Sequence, residues 1–516
     1  MATPISANAL GLDGGDSRAE PKDPVAFSHT ERPVNIKSTT LEEYLHYASI
    51  TRAEEKIANE KYRAAKSLVA WQAVVRDRFS RNPRVHGPQR QAYVANGSLE
   101  AEWKSASRAV RTAGWGSAFY LIATDVLGPS QTPWSFSQLG YGPGFALYTV
   151  FGLLSGYSGL ILWELFLKLD SDRFPMRNYS DLFGIIFGPG VKHFVNIAQA
   201  IQLIAVLGFL ILLNGQGISQ MAYGPEGSYP GICFVACLII FTVAGFGIGQ
   251  IRTLQRYSGL ANFAVFINLL VVLIVPLRLF LAEMRHPMDF WKSILCAQIL
   301  IYVIYVVFGM VVYHYHGQYT YSPAVQGVSD YKWQTALNVM NLVMGLIACG
   351  LFGNIGVKIV YIEVFERLLH FPLLHTTRGR IWWAILSPAY WVLGFILAAA
   401  IPQFPLVSGL IGAIFGVGFT YVLPALAALG FRVRRDAMLE EIERFDPATG
   451  TVNHKDSGIR RHMRGFMKNP VLNVCHLVYF LGSLVICGLG CYAAISQLKG
   501  AFSSGVTTSF TCDSPV

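Results

Sequence analysis

Asp125 lies one helical turn before a Gly128-Pro129 pair, and Pro133 follows, all within the apolar stretch 117–140. Proline removes a backbone donor and clashes with the preceding turn, so one continuous helix is not expected across Gly128–Pro133. Unpaired backbone at bilayer depth is tolerated only where it is buried in protein or lines a cavity. A helix broken there points to a solute-binding site in a transporter. The second half-helix, starting near Thr132–Trp134, offers free N–H groups and the positive end of its dipole to an anionic group. Pro133 has no donor, so Gln131, Thr132, Trp134 and Ser135 are the expected contacts. The end of the first half, Asp125 to Leu127 and Gly128, offers carbonyls to a cationic group. The alternative is a proline kink that holds no ligand.

Asp125 is also the only acidic residue well inside an apolar stretch. A carboxylate at that depth is costly to keep charged, is functional by default, and suits the uptake and release of a proton. It could instead cap the broken helix end or contact a neighbouring helix. Farther along, His193, Asn196, Gln199 and Gln202 recur every three residues and read as one polar helix face. Asn196, Gln199 and Gln202, with Asn338 and Asn341, could line a path or make interhelical hydrogen bonds. Lys358 is expected to snorkel, and Tyr361, His314 and His316 to sit at the membrane interface. No nucleophile triad, phosphate loop or metal spacing stands out, so neither a cofactor nor an enzyme is expected.

The elements that must hold these residues are membrane-spanning. Hydrophobic residues make up 53% of 516 and charged residues 14%, against about 25% charged in soluble domains. Ten stretches are long enough to cross a bilayer: 117–140, 144–168, 192–215, 230–249, 257–279, 292–313, 333–358, 380–401, 405–430 and 471–496. The expected class is an all-α polytopic bundle, with a polar region 1–112, a transmembrane domain 113–497 and a short, featureless tail 498–516. Residues 1–37 read as disordered, and the chain turns helical from Ser38. Thr40-x-x-Glu43 and Thr51-x-x-Glu54 both fit capping boxes, and the mixed-charge run after them suits a surface or membrane-adjacent helix. The 431–469 connection reads as a long solvated loop. Cys233, Cys237, Cys296, Cys349, Cys475, Cys487 and Cys491 fall in apolar stretches and read as packing residues, with no disulfide framework.

The net charge of +10 resides outside the apolar stretches and speaks of membrane orientation, not nucleic acid. Region 1–112 carries 17 Lys and Arg and is expected in the cytosol, as are the links 169–191 and 250–256; the link 216–229 has none and is expected outside. Alternation then puts the end of the fifth stretch outside, where Arg278, Arg285 and Lys292 nevertheless follow. Downstream the alternation resumes with inverted phase, ending in a basic, internal 431–469. One missing span near 277–283 would repair the pattern; a local override of the charge rule is the alternative.

Four stretches resemble the fungal branch of the amino acid/auxin permease family: AFYLIATDVLGPSQTPWSFSQLGYGPG at 118–144, LDSDRFPMRNYSDLFGIIFG at 169–188, EMRHPMDFWKS at 283–293 and GNIGVKIVYIEVFER at 353–367. The resemblance runs over roughly 40–497. It implies a leucine-transporter-like inverted repeat with eleven spans, whose broken first and sixth spans face each other at an amino acid site. The segment like EMRHPMDFWKS follows the sixth span in that family and the fifth here, so the absent span is identified as the sixth. The implied function is secondary active amino acid transport in the plasma or vacuolar membrane, with the N-terminus cytosolic. Sodium-coupled relatives carry an Asn where this chain has Ile122, which favours proton symport through Asp125. The alternative is a non-transporting nutrient sensor or a truncated paralogue.

Three arrangements would accommodate a missing span: a fifth stretch that fails to cross, an inverted C-terminal half, or the family arrangement with 278–291 drawn across the bilayer. Crossing ~30 Å with those 14 residues takes about 2 Å per residue, more than the ~1.5 Å rise of a helix, so the segment could not cross as a helix and would leave backbone groups unpaired. The chain as written is therefore expected to be defective in transport.

Overall fold

The computed structural model describes residues 39–76, 131–251 and 290–503 with short internal gaps, together with Phe510 and Cys512. The first half of the broken stretch, with Asp125, Leu127 and Gly128, and the stretch 257–279 lie outside the described residues, as do 1–38. Among the described residues the fold is all-α, and seven helices are long and apolar enough to cross a membrane.

In chain order the elements are α1 (Leu41–Arg76), α2 (Thr132–Leu139), α3 (Tyr141–Leu169), α4 (Tyr179–Phe187), α5 (Pro189–Tyr223) and α6 (Phe234–Gly249). Then come α7 (Phe290–His316), α8 (Tyr331–Val360, extended by a π-helical turn Tyr361–Glu366) and α9 (Thr377–Ala400). Helix α10 runs from Phe404–Ile411 through the π-helical turns Gly412–Gly416 and Gly418–Val422 into Leu423–Asp436, followed by α11 (Ile459–Lys468) and α12 (Pro470–Ser503). The seven helices of spanning length are longer than the apolar stretches read from sequence, whereas α6, with 16 residues, is shorter than the stretch 230–249.

Small residues let these helices approach closely. Along the α5–α8 seam, Gly217 faces Asn338 and Gly345 lies under Asn214. The fully buried Trp391 of α9 packs against Gly245 and Gly249 of α6 and Gly353 of α8. Outward-facing Leu153, Ile197, Val307, Val478 and Val485 stay exposed, as lipid contact requires.

One end of the bundle gathers α1, α4 and the chain after α10. Thr40 caps α1 by accepting from the Glu43 N–H at 3.4 Å. Thr51 is buried mid-helix, so the second capping pattern marks no helix start. Leu41 and Tyr44 of α1 join a core with Leu165 and Leu169 of α3, Phe183 of α4, Ile294 of α7, Ile359 of α8 and Phe431 of α10. The link 169–191 contains α4, started by an Asn178–Asp181 capping box. It ends at Gly188, whose φ of 99° a side chain would strain before α5 begins. Arg434 caps α4 by donating to the Ile185 and Ile186 carbonyls.

Polar contacts bind this end together. Arg461 donates to Glu42 at 2.6 Å and to the fully buried Glu443 at 3.5 Å, and Arg464 to Glu443 at 3.0 Å. The 431–469 connection is thus a docked structure containing α11, not a solvated loop. Because α1, the α3–α4 link and this connection share one face, an inverted C-terminal half is overturned.

The opposite end holds a second correction. Cys233, taken for a packing residue, forms a disulfide with Cys512, and Phe234 N–H donates to the Cys512 carbonyl at 3.0 Å. Phe510 N–H donates to Ala399 O at 3.1 Å, so the two described residues of the tail beyond α12, Phe510 and Cys512, both meet the bundle.

Candidate functional site

Helix α2 begins where the sequence places the second half of the break. Gln131 is its N-cap residue and supplies no side-chain cap, and Pro133 occupies the first turn, where a missing donor costs nothing. Thr132 is 1% exposed, and its Oγ1 has no hydrogen-bond partner. A buried hydroxyl without a partner is costly, on the order of 1–3 kcal/mol. Such a group is a candidate contact for a ligand or water.

Phe136, fully buried, fixes this short helix. Its ring lies between Gly144 of α3 and Gly309 of α7 and stacks on Tyr148 at 5.2 Å. A Cβ on Gly309 would come within 2.7 Å of both Phe136 and the Thr132 methyl. The close approach of α7 thus sets the position of Thr132. Among the other expected contacts, Trp134 is 39% exposed, Ser135 is half-buried with its hydroxyl donating to Gln131 O at 3.4 Å, and Gln131 is exposed.

The polar residues of α5 and α8 occupy two places. Asn196 and Gln199 are buried near the α4 end; both amide atoms of Asn196 and Oε1 of Gln199 lack partners. Asn338 donates to Gln220 at 3.0 Å at the opposite end of the seam, beside Gly217. At 1.5 Å per residue, Asn196 and Gly217 stand about 30 Å apart along α5. Gln202 and Asn341 are half-buried, and His193 is exposed. A spacing of three falls about 60° short of a full turn at each step. The run therefore winds across the helix surface, and only its middle members reach the interior.

Sequence reasoning passed over several buried polar groups. Lys192 pairs with Asp181 between α5 and α4. Trp391 Nε1 and Tyr390 Oη of α9 have no partner. Tyr361, read as an interfacial anchor, is fully buried and donates to Pro372 O at 2.6 Å. His314 meets the Tyr141 hydroxyl at 3.3 Å. The described residues hold no cluster of His, Cys, Asp or Glu able to ligate a metal ion.

The arrangement is a short helix whose first turn is buried at Thr132 and Pro133, within a bundle of apolar helices. Residues 111–281 and 277–436 match the family of transmembrane amino acid transporter proteins, over more than half of the chain. The chain belongs to that family. It is similar to the N amino acid transport system protein of Neurospora crassa, 22% identical over 452 residues, covering 77% of this chain and 88% of the relative. A transmembrane transporter of Fusarium pseudograminearum is 21% identical over 457 residues, covering 78% and 87%. A transmembrane transporter of Gibberella moniliformis is 26% identical over 148 residues, or 28% of this chain. As a family member the chain is a multi-pass membrane protein of amino acid transport.

Proposed function

We propose that this family member is a secondary transporter that moves an amino acid together with a proton, binding the substrate carboxylate at the start of α2. The observation that carries the site is the buried, unpartnered Thr132 Oγ1 at a helix N-terminus. There a hydroxyl, the first N–H groups and the positive dipole end converge on an anion. Asp125 is the coupling carboxylate in this reading, and Leu127 and Gly128 contribute carbonyls to the ammonium group. Asn196 and Gln199, with unmet hydrogen-bonding capacity, line the route toward the α4 end. That end faces the cytosol: it collects α1 and the basic 431–469 connection. The Cys233–Cys512 pair sits at the opposite end, and disulfides persist on the oxidising side of a membrane.

The test is uptake of labelled neutral amino acids into proteoliposomes with and without an inward proton gradient. Gradient-dependent uptake that is lost in Asp125→Asn and weakened in Thr132→Val supports the reading.

A second reading has its own support: the 516-residue chain binds substrate without completing transport. Ile248 and Ile251, at the end of α6, and Ile294, in the first turns of α7, pack into the core at the α4 end. Both ends of the connection between α6 and α7 therefore lie at the α4 end, and its sequence offers a single stretch of spanning length, 257–279. The two family matches meet at 277–281, where the sixth span of the family is expected. The alignments to the first two relatives are also longer than the stretch of this chain that they cover, so those relatives carry positions with no counterpart here. Under this reading, thermal stabilisation by an amino acid occurs without flux, and a transcript with an additional apolar segment near codons 277–283 restores uptake.

A further inference from the structure

From the geometry of α11 we infer that this helix is a membrane-surface anchor, lying in the leaflet at the α4 end with its outer face among lipids and favouring anionic headgroups. The inner face is fixed. A Cβ on the buried Gly465 would meet backbone of Val433 and Ala437 at the end of α10, with Ala437 N 2.9 Å away. Arg464 donates to Ala437 O at 2.8 Å and to Glu443, and Arg461 to Glu42. The outer face, on the opposite side, carries Ile459, Met463 and Met467, exposed at 83%, 55% and 64%. Spaced by four, they form one stripe on a helix that is otherwise strongly basic.

Two observations identify what covers the stripe. Four residues after Met467 comes Val471, 77% exposed, followed by Val474 and Val478, exposed on α12. Asn469, with φ −134° and ψ 66°, ends α11 and turns the chain into α12, and its side chain donates to Asp436 at 2.9 Å. The apolar surface of the spanning helix therefore continues around the corner onto α11. The exposed Arg460 and Lys468 lie along one side of the stripe, each one residue (about 100°) on from Ile459 and Met467. An apolar face bordered by Lys and Arg is the pattern of interfacial helices, which sink ~5–10 Å into the headgroup boundary. Charge complementarity then favours acidic lipids. Since Arg461 holds Glu42, lipid contact at α11 also steadies α1. The inference needs only a membrane-embedded chain and is independent of transport.

The test places a fluorescent thiol label at Met463→Cys or Met467→Cys, with the six free cysteines replaced, in bilayer discs with or without phosphatidylserine. Compared with a label at Lys455→Cys, iodide quenching is expected to fall at least threefold and quenching by shallow spin-labelled lipid to rise at least twofold, more so with phosphatidylserine. Iodide access equal to that at Lys455 overturns the proposal. Protection from both quenchers overturns it in favour of a protein cover. Equal lipid quenching in both compositions removes the role given to Arg460 and Lys468. The unmodified chain provides a separate reading: hydroxyl radicals should oxidise Met463 and Met467 at least threefold more slowly in discs than in a free 455–468 peptide. Equal rates contradict the anchor.

Discussion

Arg52 of α1 grips Asp170 at the end of α3: its Nη2 lies 2.9 Å from the carboxylate and 3.1 Å from the carbonyl of the same residue. Asp170 is fully buried and also accepts from Met176 N–H at 3.0 Å, so one side chain links α1, α3 and the turn leading to α4. Removing the guanidinium takes a charge-assisted hydrogen bond from a buried carboxylate, which costs about 1.5–3 kcal/mol. Arg52→Ala should lower the melting temperature by several degrees and expose α1 to protease. The double variant with Asp170→Asn should regain part of the loss. A single variant as stable as the parent would show that α1 is not held here.

The disulfide makes a second prediction. Cleavage after Lys499 should release the tail peptide only under reducing conditions, because Cys512 stays bonded to Cys233. In intact cells a membrane-impermeant reductant should release it as well, since the proposed orientation puts this end outside. Release by a permeant reductant alone would reverse that orientation.

At the α4 end, Glu443 couples α11 to pH. Burial by itself would raise its pKa, but N–H groups of Lys455 and Leu439 and the guanidinium groups of Arg464 and Arg461 outweigh it, leaving the carboxyl below the usual glutamate range. A depressed folded-state pKa stabilises the fold above the unfolded value and loses that stabilisation as pH falls through the folded one. Docking of α11 should therefore be constant from pH 5 to 8 and fail only below about pH 4. Glu443→Gln should weaken docking at neutral pH. Proteolysis within 437–458 across this range checks both statements, and undocking between pH 5 and 7 would refute the assignment.

Gly309→Ala should disturb substrate binding more than folding. The added methyl presses on Phe136 and Thr132 at 2.6–2.7 Å, and such overpacking costs about 1–3 kcal/mol. A rise in the apparent KM for an amino acid, with a smaller change in melting temperature, is expected. An unchanged KM would detach α2 from the site.

The architecture was legible because it follows from hydropathy, and the start of α2 beside Pro133 because proline chemistry is local. Helices α4 and α11 were missed for a shared reason: each is short, and its apolar residues are too few to register as a span. The Asn178–Asp181 cap was the available signal for α4, and the four-residue spacing of Ile459, Met463 and Met467 for α11. The Cys233–Cys512 bond joins residues 279 apart, a separation no local pattern encodes. The place of Thr132 at the start of α2 was legible from the prolines around it, whereas its burial and unmet hydroxyl needed the packing of Gly309.

The measurement that bears most directly on the account is amino acid uptake by the purified chain in proteoliposomes under an imposed pH gradient, with binding followed in parallel by thermal shift. Proton-coupled symport predicts uptake that rises with the inward gradient, fails in Asp125→Asn and shows a raised KM in Thr132→Val. Amino acid binding with no flux at any gradient would contradict it and leave the non-transporting reading. Gradient-independent uptake, unaffected by Asp125→Asn, would contradict the assignment of the coupling proton.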